Sequence, residues 1–230
     1  MITKVCQLFL ITASIFCAKG IGWIAMGKPP QSRLKQRNTA KILDAAQHVF
    51  AAYGYHGATI DKVAERAGMS QPNLHNYFKT KADLYAAVLD QTLTLWLDLI
   101  GDLDPAGEPQ EELRRYIGRK MELSRQFPES SRVFANEVLQ GAQVLKTMLK
   151  TRVRDNVRLF AEAIEGWVAA GKIRAVDPYH LVFLIWSATQ HYADFGAQIR
   201  VIMDVPKLTK AHFEAAEASI SEIILRGLIP

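Results

Sequence analysis

Between Leu34 and Pro230 apolar residues recur at intervals of three and four, and nowhere do they alternate with polar ones over a useful length. That is the period of an α-helix, and it leaves no strand from which a sheet could be built. Local start and stop signals divide the pattern. Ile42, Ala45, Ala46, Val49 and Phe50 share one face of a helix over Leu34–Tyr53 that Gly54 ends. Thr59 caps a short helix, Ile60–Ala67, stopped by Gly68. Ser70 caps the next, with Pro72 in its first turn, where a missing N–H costs nothing. Thr80 and Asp83 form a reciprocal capping pair that opens a long helix from Lys81 to about Ile100. A Gly-, Pro- and Asp-rich loop, Gly101–Pro109, follows it. Further helices are expected over 110–126, 129–140, 143–170, 178–200 and 207–226, with Asp177-Pro178 as a start signal and Gly171 as a stop. The expected fold is all-α. A three-helix unit over 34–80 precedes a larger helical unit over 81–230, and the boundary falls between the start of the long helix and the loop after it.

Several classes are excluded by composition. Half of the 230 residues are apolar (49%), enough for a substantial core, and no run of 18 apolar residues exists, which excludes a polytopic membrane protein. The two cysteines, Cys6 and Cys17, lie in the first 20 residues, so the body holds neither a disulfide scaffold nor a cysteine zinc site. The first 25 residues stand apart. Val5–Ala18 are nearly all apolar between Lys4 and Lys19, yet a small-residue cleavage site is missing. Met26 is the expected start of translation and residues 1–25 a start-site artefact; the rivals are a secretory signal or a membrane anchor. Residues 26–33 read as a loose basic arm.

The net charge of +5 is unevenly placed. Residues 28–89 hold nine Lys/Arg against four Asp/Glu, whereas residues 90–230 hold 17 against 19. A small basic unit joined to a near-neutral one suits a nucleic-acid reader fused to a second module. The most specific stretch is Thr59–Phe78, TIDKVAERAGMSQPNLHNYF. Two short helices meet at the tight turn Ala67-Gly68-Met69-Ser70, where Gly68 suits a left-handed backbone. Val63, Ala64 and Leu74 point inward, while Gln71, Asn73, His75 and Asn76 stand on the second helix. Asn and Gln side chains can pair with adenine in a major groove, and a helix start suits a phosphate. Tyr77, Lys79 and Lys81 follow at a spacing suited to backbone phosphates. The expected DNA-binding set is Thr59, Ser70, Gln71, Asn73, Leu74, His75, Tyr77 and Lys81. A plain helical hairpin with a polar outer face would show much of the same pattern.

With these pieces in place, residues 34–100 resemble the DNA-binding domain of TetR-family transcriptional regulators. The matching residues are Ile42-Leu43-Asp44-Ala45-Ala46, Phe50 with Gly54 and Gly57, Thr59-Ile60, Val63-Ala64, Ala67-Gly68-Met69-Ser70 and Leu74 with Tyr77-Phe78. The resemblance implies an all-helical homodimer whose small domains read a palindromic operator in double-stranded DNA. A larger domain binds an effector that releases the DNA. Two further stretches are similar to the pyrimidine-utilisation regulators of the RutR type. One is Ser124-Arg125 with Pro128, Ser131-Arg132 and Phe134; the other runs from Gly166-Trp167 through Asp177-Pro178 to Trp186 and Thr189-Gln190-His191-Tyr192-Ala193-Asp194-Phe195. This implies uracil or thymine as effector, control of pyrimidine or nitrogen metabolism, and a place in the cytoplasm with the nucleoid.

The residues support the same reading on their own terms. The helix from Pro178 is apolar almost all round as far as Ala188, so it should be buried. Trp186, Gln190 and Asp194 then fall at i, i+4 and i+8 on one stripe. An indole plate, an amide and a carboxylate match a planar imide, whose N–H donors alternate with carbonyl acceptors. They match a long acyl chain poorly. Trp96, Tyr192 and Phe134 are the other expected effector contacts, Trp96 because it sits where the two domains meet. A second stripe, Leu184, Ala188, His191 and Phe195, has the spacing of a dimer seam that packs with helix 207–226. Gln190 and Asp194 could instead be polar residues fixing the register of that seam.

An enzyme is not indicated. The six histidines are scattered, His191 and Asp194 offer at most half a metal site, and no phosphate loop or nucleophile–base pair is present. No cofactor and no metal are expected. The alternatives are a TetR-type regulator for a drug, an acyl thioester or an aromatic effector, and a membrane-anchored helical interaction protein.

Overall fold

The structure, a computed structural model, describes residues 33–101 and 103–230, with no side-chain description over 99–102. The leader expected over 1–25 and nearly all of the basic arm over 26–33 lie outside the described residues. Every regular element among the described residues is helical: α1 (Arg33–Gly57), α2 (Ile60–Arg66), α3 (Gln71–His75), α4 (Lys81–Gly101), α5 (Pro109–Gln126), α6 (Pro128–Leu139), α7 (Lys146–Met148), α8 (Arg154–Ala169), α9 (Pro178–Asp194), α10 (Gly196–Ile202) and α11 (Lys210–Leu228). A π-helical turn, Leu149–Val153, joins α7 to α8. Residues Arg37–Pro230 form one compact unit; of the other, Met1–Gln36, the described residues are the first turn of α1. None of the described helices is long and apolar enough to cross a membrane.

Most boundaries follow from local chemistry. Gly54 takes φ +64° and breaks the helical path of α1 where the sequence placed its end. The Thr59 side chain accepts from the Lys62 amide at 3.3 Å, and Gly68 turns the chain between α2 and α3 with φ +60°. Thr80 and Asp83 cap each other's backbone amides, both at 3.0 Å. Asp177 accepts from the His180 amide at 2.9 Å and starts α9. Ser70 departs from expectation: it occupies the cap position of α3 without a side-chain capping bond. The helix expected over 178–200 is two, because Phe195 leaves helical geometry (φ −111°, ψ 24°) between α9 and α10. The helix expected over 143–170 begins later and passes through the π turn.

Two buried cores form among the described residues. One gathers Ile42, Val49, Phe50, Leu74, Leu84, Val88 and Leu89 from α1 to α4, together with Val133 from α6. The other gathers Ile117, Phe160, Ile164, Trp167, Val182, Ile185 and Leu225 from α5, α8, α9 and α11. Each fully buried side chain of this size contributes about 1.5–3 kcal/mol. Helix α9 packs against α5, α6, α8 and α11, and α4 packs against α5, α6 and α8. α9 is not buried all round, however. Tyr179, Phe183 and Leu184 are each about half exposed, since one face of the helix is left uncovered by the other described residues.

Candidate functional site

The first candidate surface is built by α2 and α3. Leu74 is fully buried and pegs α3 into the core beneath it. That removes Leu74 from the expected DNA contacts: its side chain is spent on seating the helix. Gln71, Asn73 and Asn76 are exposed on the opposite side, with Ser70, Thr59 and Lys79; His75 and Tyr77 are half buried. The Tyr77 hydroxyl accepts from Asn38 Nδ2 at 2.7 Å, a tie across α1 that sequence spacing did not indicate. Lys81 is also reassigned. Its ammonium donates to the carbonyls of Tyr55 (2.8 Å) and Ala58 (3.1 Å) and stands 4.5 Å from the centroid of the Tyr55 ring. It therefore clamps the start of α4 to the α1–α2 connection rather than reaching outward.

The second candidate site is a cavity of about 570 Å³ among α4, α5, α6, α9 and the π turn. Trp186, Gln190 and Asp194, which share one stripe of α9, all line it, and Trp96 faces them from α4. Phe134 joins from α6, its ring 4.6 Å from that of Trp96 and tilted by 64°. Tyr192 does not reach the cavity. Two residues beyond Gln190 is roughly 200° around the helix, and its ring packs beside Phe213 at 6.0 Å in the second core.

Four polar side chains of the wall were not foreseen as contacts, Tyr116, Lys120, Arg132 and Asn136, nor was Ser131, which supports Asp194. Tyr116 and Lys120 lie one turn apart on the buried face of α5, between Leu113, Ile117, Met121 and Ser124. A lysine on an otherwise apolar stripe was the available signal. The Trp186 indole N–H donates to the Tyr116 hydroxyl at 2.8 Å, and Ser131 Oγ donates to Asp194 Oδ1 at 2.5 Å. Burial holds the Asp194 carboxyl above the usual carboxylate range, opposed by the Ser131 bond and by Arg132, Lys120 and His191. Burial likewise pushes the Lys120 amine down to about 8, with Asp194 pulling the other way. It raises Tyr116, an effect the Trp186 hydrogen bond partly offsets. Donors, acceptors and two indoles thus converge in a largely apolar space, the usual composition of a small-molecule site.

The second stripe of α9 is open. Leu184 and Phe195 are about half exposed, His191 is exposed and Ala188 is partly so; the His191 and Phe195 rings stack at 4.9 Å. Phe195 also touches the cavity.

Comparison with known proteins gives this geometry its context. Residues 42–88 match the family of bacterial regulatory proteins, tetR family, and residues 89–230 match the YcdC-like protein, C-terminal region. The chain belongs to the TetR family. It is 36% identical over 200 residues to the HTH-type transcriptional regulator RutR of Escherichia coli K12, covering 87% of this chain and 94% of that protein. A TetR-family regulator from Rhodococcus RHA1 shares the fold with a TM-score of 0.68 at 23% identity, covering 83% of this chain and 96% of that one. AibR, solved with isovaleryl coenzyme A and operator DNA, shares it at 0.63 and 19% identity, covering 81% and 97%. This TetR-family chain is a transcriptional regulator rather than an enzyme. Regulators of the family bind operator DNA and small-molecule effectors and act as dimers.

Proposed function

We propose that this regulator, most simply a repressor, releases its operator when a small pyrimidinedione, uracil or thymine, enters the α4–α5–α6–α9 cavity. Residues 34–80 form the reading domain and residues 81–230 the effector and dimer domain. Two copies pair along Leu184, Ala188, His191 and Phe195, with α11 beside them. They set two α3 helices about one DNA turn apart, ~34–36 Å, on a palindromic operator. The regulator works in the cytoplasm, with the nucleoid. The observation that carries the effector reading is the convergence of Trp96, Trp186, Gln190 and Asp194 on one cavity. An indole can lie on a planar ring, an amide can meet one N–H/C=O pair, and a carboxylate can accept the remaining N–H. The effector favours a conformer whose reading heads are wrongly spaced, and DNA affinity falls by the differential it pays for.

The test is operator binding by fluorescence anisotropy with and without uracil. Gln190→Ala is expected to bind operator as before and to lose the release by uracil; loss of operator binding in that variant would sink the scheme. A thermal-shift series adds thymine, cytosine and a long-chain acyl thioester. A ligand at 100 times its Kd adds ~2.7 kcal/mol, several degrees for a chain of this size. One observation favours a second reading, a larger aromatic effector: at about 570 Å³ the cavity exceeds the needs of one six-membered ring. A shift with larger aromatics and none with pyrimidines would select it.

A further inference from the structure

Lys120 is 4% exposed, the most deeply buried cation of the cavity wall. Its Nζ stands 4.7 Å from the centroid of the Trp96 ring and 5.9 Å from that of Trp186. Among the described residues no hydrogen bond or ion pair engages it; Asp194 acts on it only through its field. A buried ammonium carries three protons and no acceptor lone pair, so it is satisfied only by an acceptor. Gln190, Asn136, Asp194, Trp186 and Arg132 of the wall are less discriminating. The amides of Gln190 and Asn136 can turn over and present either a carbonyl or an NH₂. Ionised Asp194 accepts from any N–H. The Trp186 indole N–H is already given to Tyr116. Arg132 donates only, but it is partly exposed and can keep water as a partner.

We infer that Lys120 is the residue that makes this cavity select oxo-pyrimidines over amino-pyrimidines, by donating to the exocyclic oxygen that stands at the ring position where an amino-pyrimidine such as cytosine carries its NH₂. The inference rests on the pyrimidine reading above and names the atom type that reading leaves open. An oxo group next to Nζ supplies the acceptor that the ammonium lacks. An exocyclic amino group sets N–H against N–H and leaves two buried donors unsatisfied. Sites built around one buried polar contact reject the ligand that lacks its partner far more strongly than a merely apolar wall does. The Trp96 and Trp186 faces hold the cation in place meanwhile, by the attraction of their ring electrons for positive charge.

The experiment is calorimetric titration of the full chain with uracil and with cytosine, for the wild type, Lys120→Met and Lys120→Gln. The wild type is expected to prefer uracil by on the order of a hundredfold or more. Lys120→Met removes the donor at nearly constant volume and should shrink that preference at least tenfold, chiefly by weakening uracil. Lys120→Gln can donate or accept and should shrink it as well. Unchanged selectivity in both Lys120 variants overturns the inference and leaves the pyrimidine reading standing. A wild type that binds neither uracil nor thymine overturns the pyrimidine reading and this inference together.

Discussion

Lys120→Met should make the protein more stable, and the size of the gain follows from the burial of one amine. Folding carries the Lys120 amine from its ordinary 10.5 to about 8, chiefly because burial strips water from the charged form. At about 1.4 kcal/mol per pH unit, keeping the charge inside at neutral pH costs about 3 kcal/mol. Methionine matches the lysine stem in length and flexibility and removes the charge, so a gain on the order of 2–3 kcal/mol at pH 7 is expected. The sign of the pH dependence is fixed by the direction of the shift. Below about 8 the amine is charged in both states and its burial cost is present in full. Between about 8 and 10.5 the folded chain sheds a proton that the unfolded chain keeps, so wild-type stability rises with pH relative to the variant. Worked from those two values, the gap between the proteins falls to about half by pH 9.5. Urea unfolding followed by circular dichroism at pH 7.0 and 9.5 measures it, at one protein concentration because dimer formation adds to apparent stability. A variant less stable than the wild type, or a gap that does not narrow, would refute the reasoning. A buried charge that weakens the fold is the signature of a group retained for a ligand rather than for packing.

Other outcomes follow from the same structure. Leu74→Ala should cost about 2–5 kcal/mol in urea unfolding because the side chain is completely enclosed; a cost under about 1 kcal/mol would contradict its role as the peg of α3. Asn73→Ala, at an exposed position of α3, should weaken operator binding by about 1–3 kcal/mol with an unchanged melting temperature. Lys81→Met should lower stability by about 1–3 kcal/mol, since it orphans the Tyr55 and Ala58 carbonyls. If instead stability holds while the salt slope of operator binding drops by about one, Lys81 is a phosphate contact after all. Leu184→Glu places a charge on the half-exposed seam of α9 and should yield monomers in sedimentation velocity; an unaltered dimer would move the interface elsewhere.

The helical fold and most of its boundaries were legible in the chain because their causes are local. A cap joins residues three apart, as at Thr59 with Lys62 and Thr80 with Asp83, and a left-handed glycine such as Gly68 acts on its own turn. The Trp186–Gln190–Asp194 stripe was legible for the same reason, since a helix repeats every 3.6 residues whatever surrounds it. The period also contained the evidence against Tyr192, which lies roughly opposite Gln190. What a local rule cannot say is which stripe meets an empty space and which meets a wall. That depends on how α4, α5, α6 and α9 pack, and packing is set by contacts between residues far apart in the chain. Tyr116 and Trp186 are 70 residues apart and Ser131 and Asp194 63 apart, yet each pair shares a hydrogen bond that holds a residue of the cavity wall. The same holds for Lys81, whose outward appearance in sequence gives way to two carbonyls 26 and 23 residues before it. The sequence by itself determined the helices and the faces they offer. Only the tertiary structure decided that Lys120 stands buried between two indoles, because desolvation arises when separate helices close over a charge, and no single helix can do that alone.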